Sequence, residues 1–253
     1  MLYVSGVLME AYRNRIYEKY ASVFKNSQSK FNEDAAYYWG LPYNYYLRSW
    51  LPNNKDVTIL DMGCGDGKLL YFFIKNGYTN VQGVDISHEQ VTIAKQACLT
   101  VHEGKVSDFL ASNLDTFDLI TGIDFLEHLF KDEALRILDL CYTALKTNGR
   151  IILQLPNSDS PMSNSVHHAD FTHELQLNPS SLSHLLRLSG FSAVEIREQG
   201  PVPWGYSFKS SLRFVAWYII RSLIMLWNLA ETASCGSGVF TRVFIISGTK
   251  SCQ

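Results

Sequence analysis

The stretch TILDMGCGDGKLL, Thr58–Leu70, decides how this chain folds. An apolar run leads into three glycines at alternate positions, Gly63, Gly65 and Gly67, and a second apolar segment with helical spacing follows. The continuous run predicts a strand over 57–63 buried on both faces. The segment GKLLYFFIKNGY predicts a helix that stops at Gly77. Each glycine weakens local structure by roughly 0.5–1 kcal/mol relative to alanine. Three of them where a helix should start imply that something approaches the backbone closely there.

Working outward, strand and helix patterns alternate. VQGVDIS, 81–87, is a second strand, and HEQVTIAKQACL is a helix with Ser87 as N-cap and Gln90 as its reciprocal partner. FDLITGID, 117–124, is an apolar strand. KDEALRILDLCYTALKTNGR is an amphipathic helix expected to end at Asn148-Gly149. IILQLPN, 151–157, is a strand cut off by Pro156. NPSSLSHLLRLSGF is a helix with Asn178 as N-cap, Pro179 in its first turn and a stop at Gly190. SAVEIREQ and FTRVFIISGTK are two late strands. This alternation predicts an α/β fold: a parallel sheet with right-handed crossovers and helices on both faces.

Composition agrees with one sizeable globular domain. The chain has 253 residues, 47% of them hydrophobic and 18% charged, with a net charge of −2. A near-neutral balance argues against a broad nucleic-acid footprint, and no nucleic-acid partner is expected. The five cysteines, Cys64, Cys98, Cys141, Cys235 and Cys252, are odd in number and lack metal spacing. They read as reduced thiols of a cytoplasmic chain. The N-terminal apolar stretch has no basic segment before it and is not read as a signal peptide. Residues 1–50 are rich in tyrosine and predict a helical cap or lid over the ligand site, with breaks near Asn26–Lys30 and Gly40–Pro42. Residues 51–253 form the main domain.

In such a sheet a ligand lies beyond the carboxyl ends of the strands, at the switch point. The glycine turn is G-x-G-x-G, one residue short of the dinucleotide spacing, and it lacks the phosphate-loop spacing. Asp61, two residues before the first glycine, suits the cationic end of a ligand. Asp85, ending the second strand, can accept hydrogen bonds from ribose hydroxyls, and Asp108 suits an adenine amino group. Adenine, ribose and a charged amino-acid end without phosphates describe S-adenosylmethionine.

These stretches, with VSDFL and FDLITGIDFLEHL, resemble the successive motifs of class I S-adenosylmethionine-dependent methyltransferases over roughly 56–157. The resemblance implies a Rossmann-like seven-stranded, mostly parallel sheet with an antiparallel last strand, supplied here by 239–249. It implies that Asp61, Gly63 and Gly65 line the methionine end, that Asp85 holds the ribose and Ile86 packs on adenine, that Asp108 with Phe109 reads the adenine edge, and that Cys64 and Asp124 belong to the cofactor-binding set.

Acceptor residues are expected after the fifth strand. Three of the seven histidines, His167, His168 and His173, fall there beside Asp170 and Glu174. His168 or His173 could take the acceptor proton, oriented by Asp170. A competing reading places a divalent metal on Asp124, Glu127 and His128, similar to small-RNA 2′-O-methyltransferases; no metal ligand is adopted. The third possibility is a binding module with idle histidines. The block around HADFTHE resembles methyltransferases of polysaccharide, lipid-carrier and natural-product pathways. It implies O-methylation of a small molecule, with a sugar or lipid-linked saccharide as the acceptor.

One segment fits none of this. FKSSLRFVAWYIIRSLIMLWNLAET, within 208–233, is an apolar insertion between the late strands. Arg221 near its middle opposes a transmembrane span. Lys209, Arg213 and Arg221 read roughly as one basic stripe. The ordinary expectation is a helix packed on its own domain; a lipid surface, a cover over the acceptor pocket or a homodimer seam are the alternatives. In the cap, Tyr37, Tyr38, Trp39 and Tyr43 are expected to line a pocket.

Overall fold

A computed structural model describes residues 12–24, 30–203 and 206–251. Its strands are β1 Thr58–Met62, β2 Asn80–Asp85, β3 Val101–Glu103, β4 Phe117–Ile123, β5 Leu145–Pro156, β6 Ser192–Glu198 and β7 Val243–Thr249. All seven form one sheet in the order β3-β2-β1-β4-β5-β7-β6. The β3-β2-β1-β4-β5 ladder is parallel. β7 runs antiparallel to both β5 and β6, so the last strand is wedged between its neighbours.

Alternation along the strands sorts two cores. Leu60, Met62, Ile120, Ile151 and Leu153 face helices Lys131–Ala144 and Pro179–Leu188. Ile59, Leu119, Ile152 and Ile245 face the helix Lys68–Lys75 and the cap residues Tyr43, Leu47 and Trp50. Both faces are therefore covered, as a largely parallel sheet requires. The order reverses between β1 and β4, and their carboxyl ends open a crevice there.

Helix ends obey local chemistry in one case and override it in others. Asn178 caps Pro179–Leu188 as expected, its side chain accepting from the Ser181 amide and its own amide donating to Ser181 Oγ. Ser87 makes no such cap: its hydroxyl donates to the Tyr17 carbonyl at 3.2 Å, and the Ser87 amide donates to Asp85 Oδ1 at 2.8 Å. Helix Lys131–Ala144 ends before the expected Asn148-Gly149 stop. Leu145 already pairs with Phe117 and is buried, and the tight turn after it leaves a Gly149 Cβ only 2.7 Å from the Lys146 carbonyl.

In the cap, helix Glu33–Gly40 lies on Lys68–Lys75, and the chain breaks at 41–42 before the short helix Tyr43–Tyr46. The other expected break, near Asn26–Lys30, lies mostly outside the described residues, as do the N-terminal apolar stretch and Cys252. Tyr37 and Tyr38 point outward and line neither of the two spaces described below, contrary to expectation, because their side of the helix faces away from Lys68–Lys75.

The apolar insertion is one helix, Phe208–Thr232, and it is not packed into the domain by its apolar side. Ten large apolar side chains between Phe208 and Leu229 are 47–85% exposed. The expected basic stripe does not form either. Twelve positions separate Lys209 from Arg221, which rotates them about 120° apart at ~100° per residue. Arg221 turns inward to Glu198 and the Gly238 carbonyl, while Lys209 and Arg213 stay on the outside.

Candidate active site

The crevice at the switch point is a cavity of about 640 Å³. Its floor is the glycine turn, and the three glycines have different reasons to lack a Cβ. At Gly63 a Cβ would sit 2.5 Å from the Phe125 ring, and at Gly67 it would sit 2.4 Å from Leu99. These two glycines let the turn pack against its own protein. At Gly65 nothing lies nearer than Gln90 at 3.8 Å, so this glycine bares the backbone to the cavity. The room expected for a ligand at Gly63 and Gly65 is therefore open at Gly65, while a Cβ at Gly63 meets Phe125 first.

Two carboxylates stand on the same floor. Asp61 is buried at the end of β1 and accepts from Thr121 Oγ1 at 2.7 Å. Asp85, at the end of β2, accepts from the Gly65 amide and the Ser87 amide, each at 2.8 Å. Burial pushes the Asp61 carboxyl up to about 7, against the Thr121 hydrogen bond and with help from the Asp85 charge. Burial also raises Asp85, opposed by the amides that bind it. Lys68, on the same turn, is paired with Asp66 at 2.8 Å. The floor thus suits a cation and hydroxyl donors, and offers little to a phosphate. Ile86 and Asp108 line the adjoining wall.

The cavity roof comes from the N-terminal segment. Asn14, Tyr17 and Tyr20 line it. Arg13 clamps the segment down, donating to Glu133 and to the His128 carbonyl and lying over the Phe130 ring. Adjoining the crevice, a second recess of about 340 Å³ is walled by Trp39, Tyr43, Tyr46 and Gln199. Trp39 and Asp124 belong to both spaces. Asp124 accepts from Gln154 Nε2 at 2.9 Å, and Gln154 Oε1 accepts from the Tyr43 hydroxyl at 2.7 Å. A buried hydrogen-bond chain therefore ties the cap to the crevice.

His128, after β4, is the histidine on the crevice wall. Its Nδ1 lies 2.7 Å from Thr172 Oγ1, and Thr172 Oγ1 donates to Asp170 Oδ1 at 2.6 Å. Thr172 has a single hydroxyl proton, and Asp170 takes it. The Nδ1 of His128 must then donate, which leaves Nε2 as the nitrogen carrying the lone pair. Burial alone would raise the Asp170 carboxyl. Hydrogen bonds from Thr172 and Tyr20 prevail and hold it down at about 2. Tyr20 donates to its other oxygen at 2.7 Å. Glu127, His128 and His173 bring ligand-capable atoms within 4.8 Å of one another.

The fold around this crevice recurs in known proteins. A methyltransferase-domain family model matches residues 31–196. The chain belongs to that family. Among curated proteins it is similar to ubiquinone biosynthesis O-methyltransferases. It is 26% identical over 158 residues to that of Hydrogenovibrio crunogenus, covering 56% of this chain and 64% of the other. It is 30% identical over 105 residues to that of Vibrio parahaemolyticus, covering 39% of this chain and 43% of the other. The chain thus spans about half the length of the curated relatives it matches. Among solved structures, an S-adenosylmethionine-dependent methyltransferase from Archaeoglobus fulgidus matches with a TM-score of 0.63 at 20% identity, over 94% of this chain and 99% of the other. Phosphoethanolamine N-methyltransferase 2 of Haemonchus contortus, in complex with S-adenosylmethionine, matches with a TM-score of 0.60 at 13% identity, over 93% of this chain and 60% of the other. The fold is that of the class I methyltransferases, and the cofactor is S-adenosylmethionine.

Within this methyltransferase crevice the expected site residues divide. Asp61, Gly63, Cys64, Gly65, Asp85, Ile86, Asp108 and Asp124 all border it. Phe109 does not: its ring stacks on Phe117 at 6.4 Å between centroids and packs on the core. Its amide is spent on the Lys105 carbonyl, because VSDFL starts a helix rather than ending a strand. His168 is exposed away from the crevice. His173 touches His128, at 4.8 Å between ring centroids, without lining the crevice. Asp170 does orient a histidine, but that histidine is His128, through Thr172. The tyrosine-rich lid contains Tyr17 and Tyr20 without singling them out, and sequence patterns do not point to Arg13 or Thr172. Only the turn after β4, where FLEH places a histidine at a strand end, carries a signal for the one that faces the crevice.

Proposed function

We propose that this methyltransferase transfers a methyl group to a hydroxyl of a small molecule, with His128 as the proton acceptor. The observation that carries this reading is the Tyr20–Asp170–Thr172–His128 chain on the crevice wall. S-adenosylmethionine, when bound, supplies a methyl group on a positively charged sulfur. Asp61, Gly65, Asp85, Ile86 and Asp108 are the residues that would hold it, since they offer carboxylates and bare backbone without phosphate ligands.

An acceptor oxygen taking that methyl, with the carbon–sulfur bond broken and S-adenosylhomocysteine left as the neutral thioether, would lose its proton to His128 Nε2. The imidazolium so formed keeps its Nδ1–H on Thr172, and the ionised Asp170 stabilises the new charge. The roof of Tyr17, Tyr20 and Arg13 keeps water from the reacting atoms. The recess of Trp39, Tyr43 and Tyr46 offers aromatic faces to a flat or ring-shaped acceptor. A saccharide acceptor and a role in polysaccharide synthesis find no support among the curated relatives, which are named for ubiquinone biosynthesis. A ring hydroxyl on a quinone-type precursor is the acceptor we favour.

The test is a screen of phenolic and saccharide acceptors with cofactor labelled in the methyl group. His128→Ala is expected to lower kcat by about 10²–10⁴ while S-adenosylhomocysteine binding persists. Full turnover by that variant would sink the assignment. A second reading rests on the Glu127–His128–His173 group, which could hold a divalent ion. Turnover that survives chelation favours the base; loss restored by a divalent ion favours the metal.

A further inference from the structure

The helix Phe208–Thr232 is built inside out. Ser210, Phe214, Trp217, Arg221, Ile224 and Asn228 follow one another at three- and four-residue steps and share one stripe. That stripe faces the domain, and most of its contacts are polar. Ser210 Oγ donates to the Val202 carbonyl at 2.7 Å, Trp217 Nε1 donates to Glu198 at 3.2 Å, and Arg221 Nε donates to the Gly238 carbonyl at 2.9 Å. Asn228 lies against Gly236. The opposite side carries Leu212, Val215, Ile219, Leu223 and Leu226, all exposed. With Tyr218, Leu229, Ile220 and Trp227 on its flanks, the apolar arc covers about 200° at ~100° per residue. An ordinary surface helix shows the reverse polarity.

From this inversion we propose that the helix lies flat in the headgroup–acyl boundary of a lipid bilayer. A second copy of the chain would cover one stripe of roughly 100° and leave the rest wet, whereas lipid covers the whole arc. The helix does not cross the bilayer, because its inward stripe stays bonded to the domain from Val202 to Gly238. Its ~37 Å length at ~1.5 Å per residue therefore lies parallel to the surface. Lys209 and Arg213 stand on the outside near the N-terminal end, placed for lipid phosphates. The helix is linked to the second recess through Gly200, whose carbonyl accepts from Tyr46 and which lies against Trp217. An acceptor resident in the membrane would enter there; this last step rests on the hydroxyl-acceptor reading, and vesicle binding tests the surface without it.

The experiment is flotation of the full chain with phosphatidylcholine vesicles, with and without phosphatidylglycerol. The wild type is expected to float with both, and better with the anionic lipid. Ile219→Ser combined with Leu223→Ser is expected to cut the floated fraction about tenfold or more. Ile219→Asp combined with Leu223→Asp should abolish it, while the thermal midpoint and S-adenosylhomocysteine affinity of both double variants stay as in the wild type. Brominated lipid should quench tryptophan emission in the wild type and less in Trp227→Phe. A wild type that stays unfloated, variants that float equally, or a detergent-free dimer that shields Trp227 and ignores vesicles would each overturn the proposal.

Discussion

The crevice floor and the helix Phe208–Thr232 break the same rule in opposite senses. One buries carboxylates, and the other exposes leucines. Each is costly for the chain alone, and each is relieved by something the chain does not contain. Their shapes separate the remedies. The floor is concave and closed by Tyr17 and Tyr20, so a small cation fits it. The helix is convex and exposed over half its circumference, so only an extended apolar phase covers it. Inverted polarity says that a partner exists, and curvature says how large it is.

Helix Lys131–Ala144 is the control within the same molecule. It buries Ala134, Ile137, Leu138 and Cys141 and turns its charges outward. Leu138→Asp should unfold the domain, because a buried unpaired carboxylate adds to a cavity cost of about 2–5 kcal/mol. Leu226→Asp should change stability by no more than about 0.5 kcal/mol in lipid-free buffer. Chemical denaturation of both variants reads the contrast. Equal losses would mean that the outward face of Phe208–Thr232 is covered by its own chain in solution.

How much of this is legible in the sequence follows from the same physics. The apolar runs at 57–63 and 117–124 show the strands because burial on both faces leaves no polar positions. The glycine spacing shows where a ligand meets the backbone, although only Gly65 is bare for that purpose and its neighbours serve packing. The proposed base is legible only as a histidine at a strand end, in FLEH. Its partner Thr172 is not, because the loop after β5 reaches it only by folding back on Glu127 through the Glu174 and Leu175 amides. The direction of Phe208–Thr232 is not legible either. Polar residues point both ways, Lys209 and Arg213 outward and Ser210 and Arg221 inward, so the pattern alone does not say which side meets the domain.

The crevice half of the comparison sharpens with pH. The Asp61 pKa is raised from 3.8 to about 7 on folding. The folded state then holds a proton that the unfolded state releases, so Asp61 contributes stability below pH 3.8 that is lost as pH rises to about 7. A cationic ligand needs the ionised form, so its affinity rises over that range, by up to about tenfold per pH unit, and levels off above it. The measurement is the thermal midpoint of wild type minus Asp61→Asn at several pH values, with and without S-adenosylhomocysteine. A difference that grows in the wild type's favour as pH rises, without ligand, would contradict a buried, proton-holding floor.

The smallest effect concerns the roof. Ser87 occupies an N-cap position, where replacing serine by alanine usually costs about 1 kcal/mol. Here its hydroxyl reaches the Tyr17 carbonyl instead of its own helix. Ser87→Ala should therefore leave global stability within about 0.5 kcal/mol of the wild type. What it loosens is the hold on residues 12–24, which hydrogen exchange would report as faster opening of the Tyr17–Tyr20 roof. A full cap-sized loss with an unchanged roof would place the hydroxyl on its own helix, and the closure of the crevice would then rest on Arg13 and Tyr20 without it.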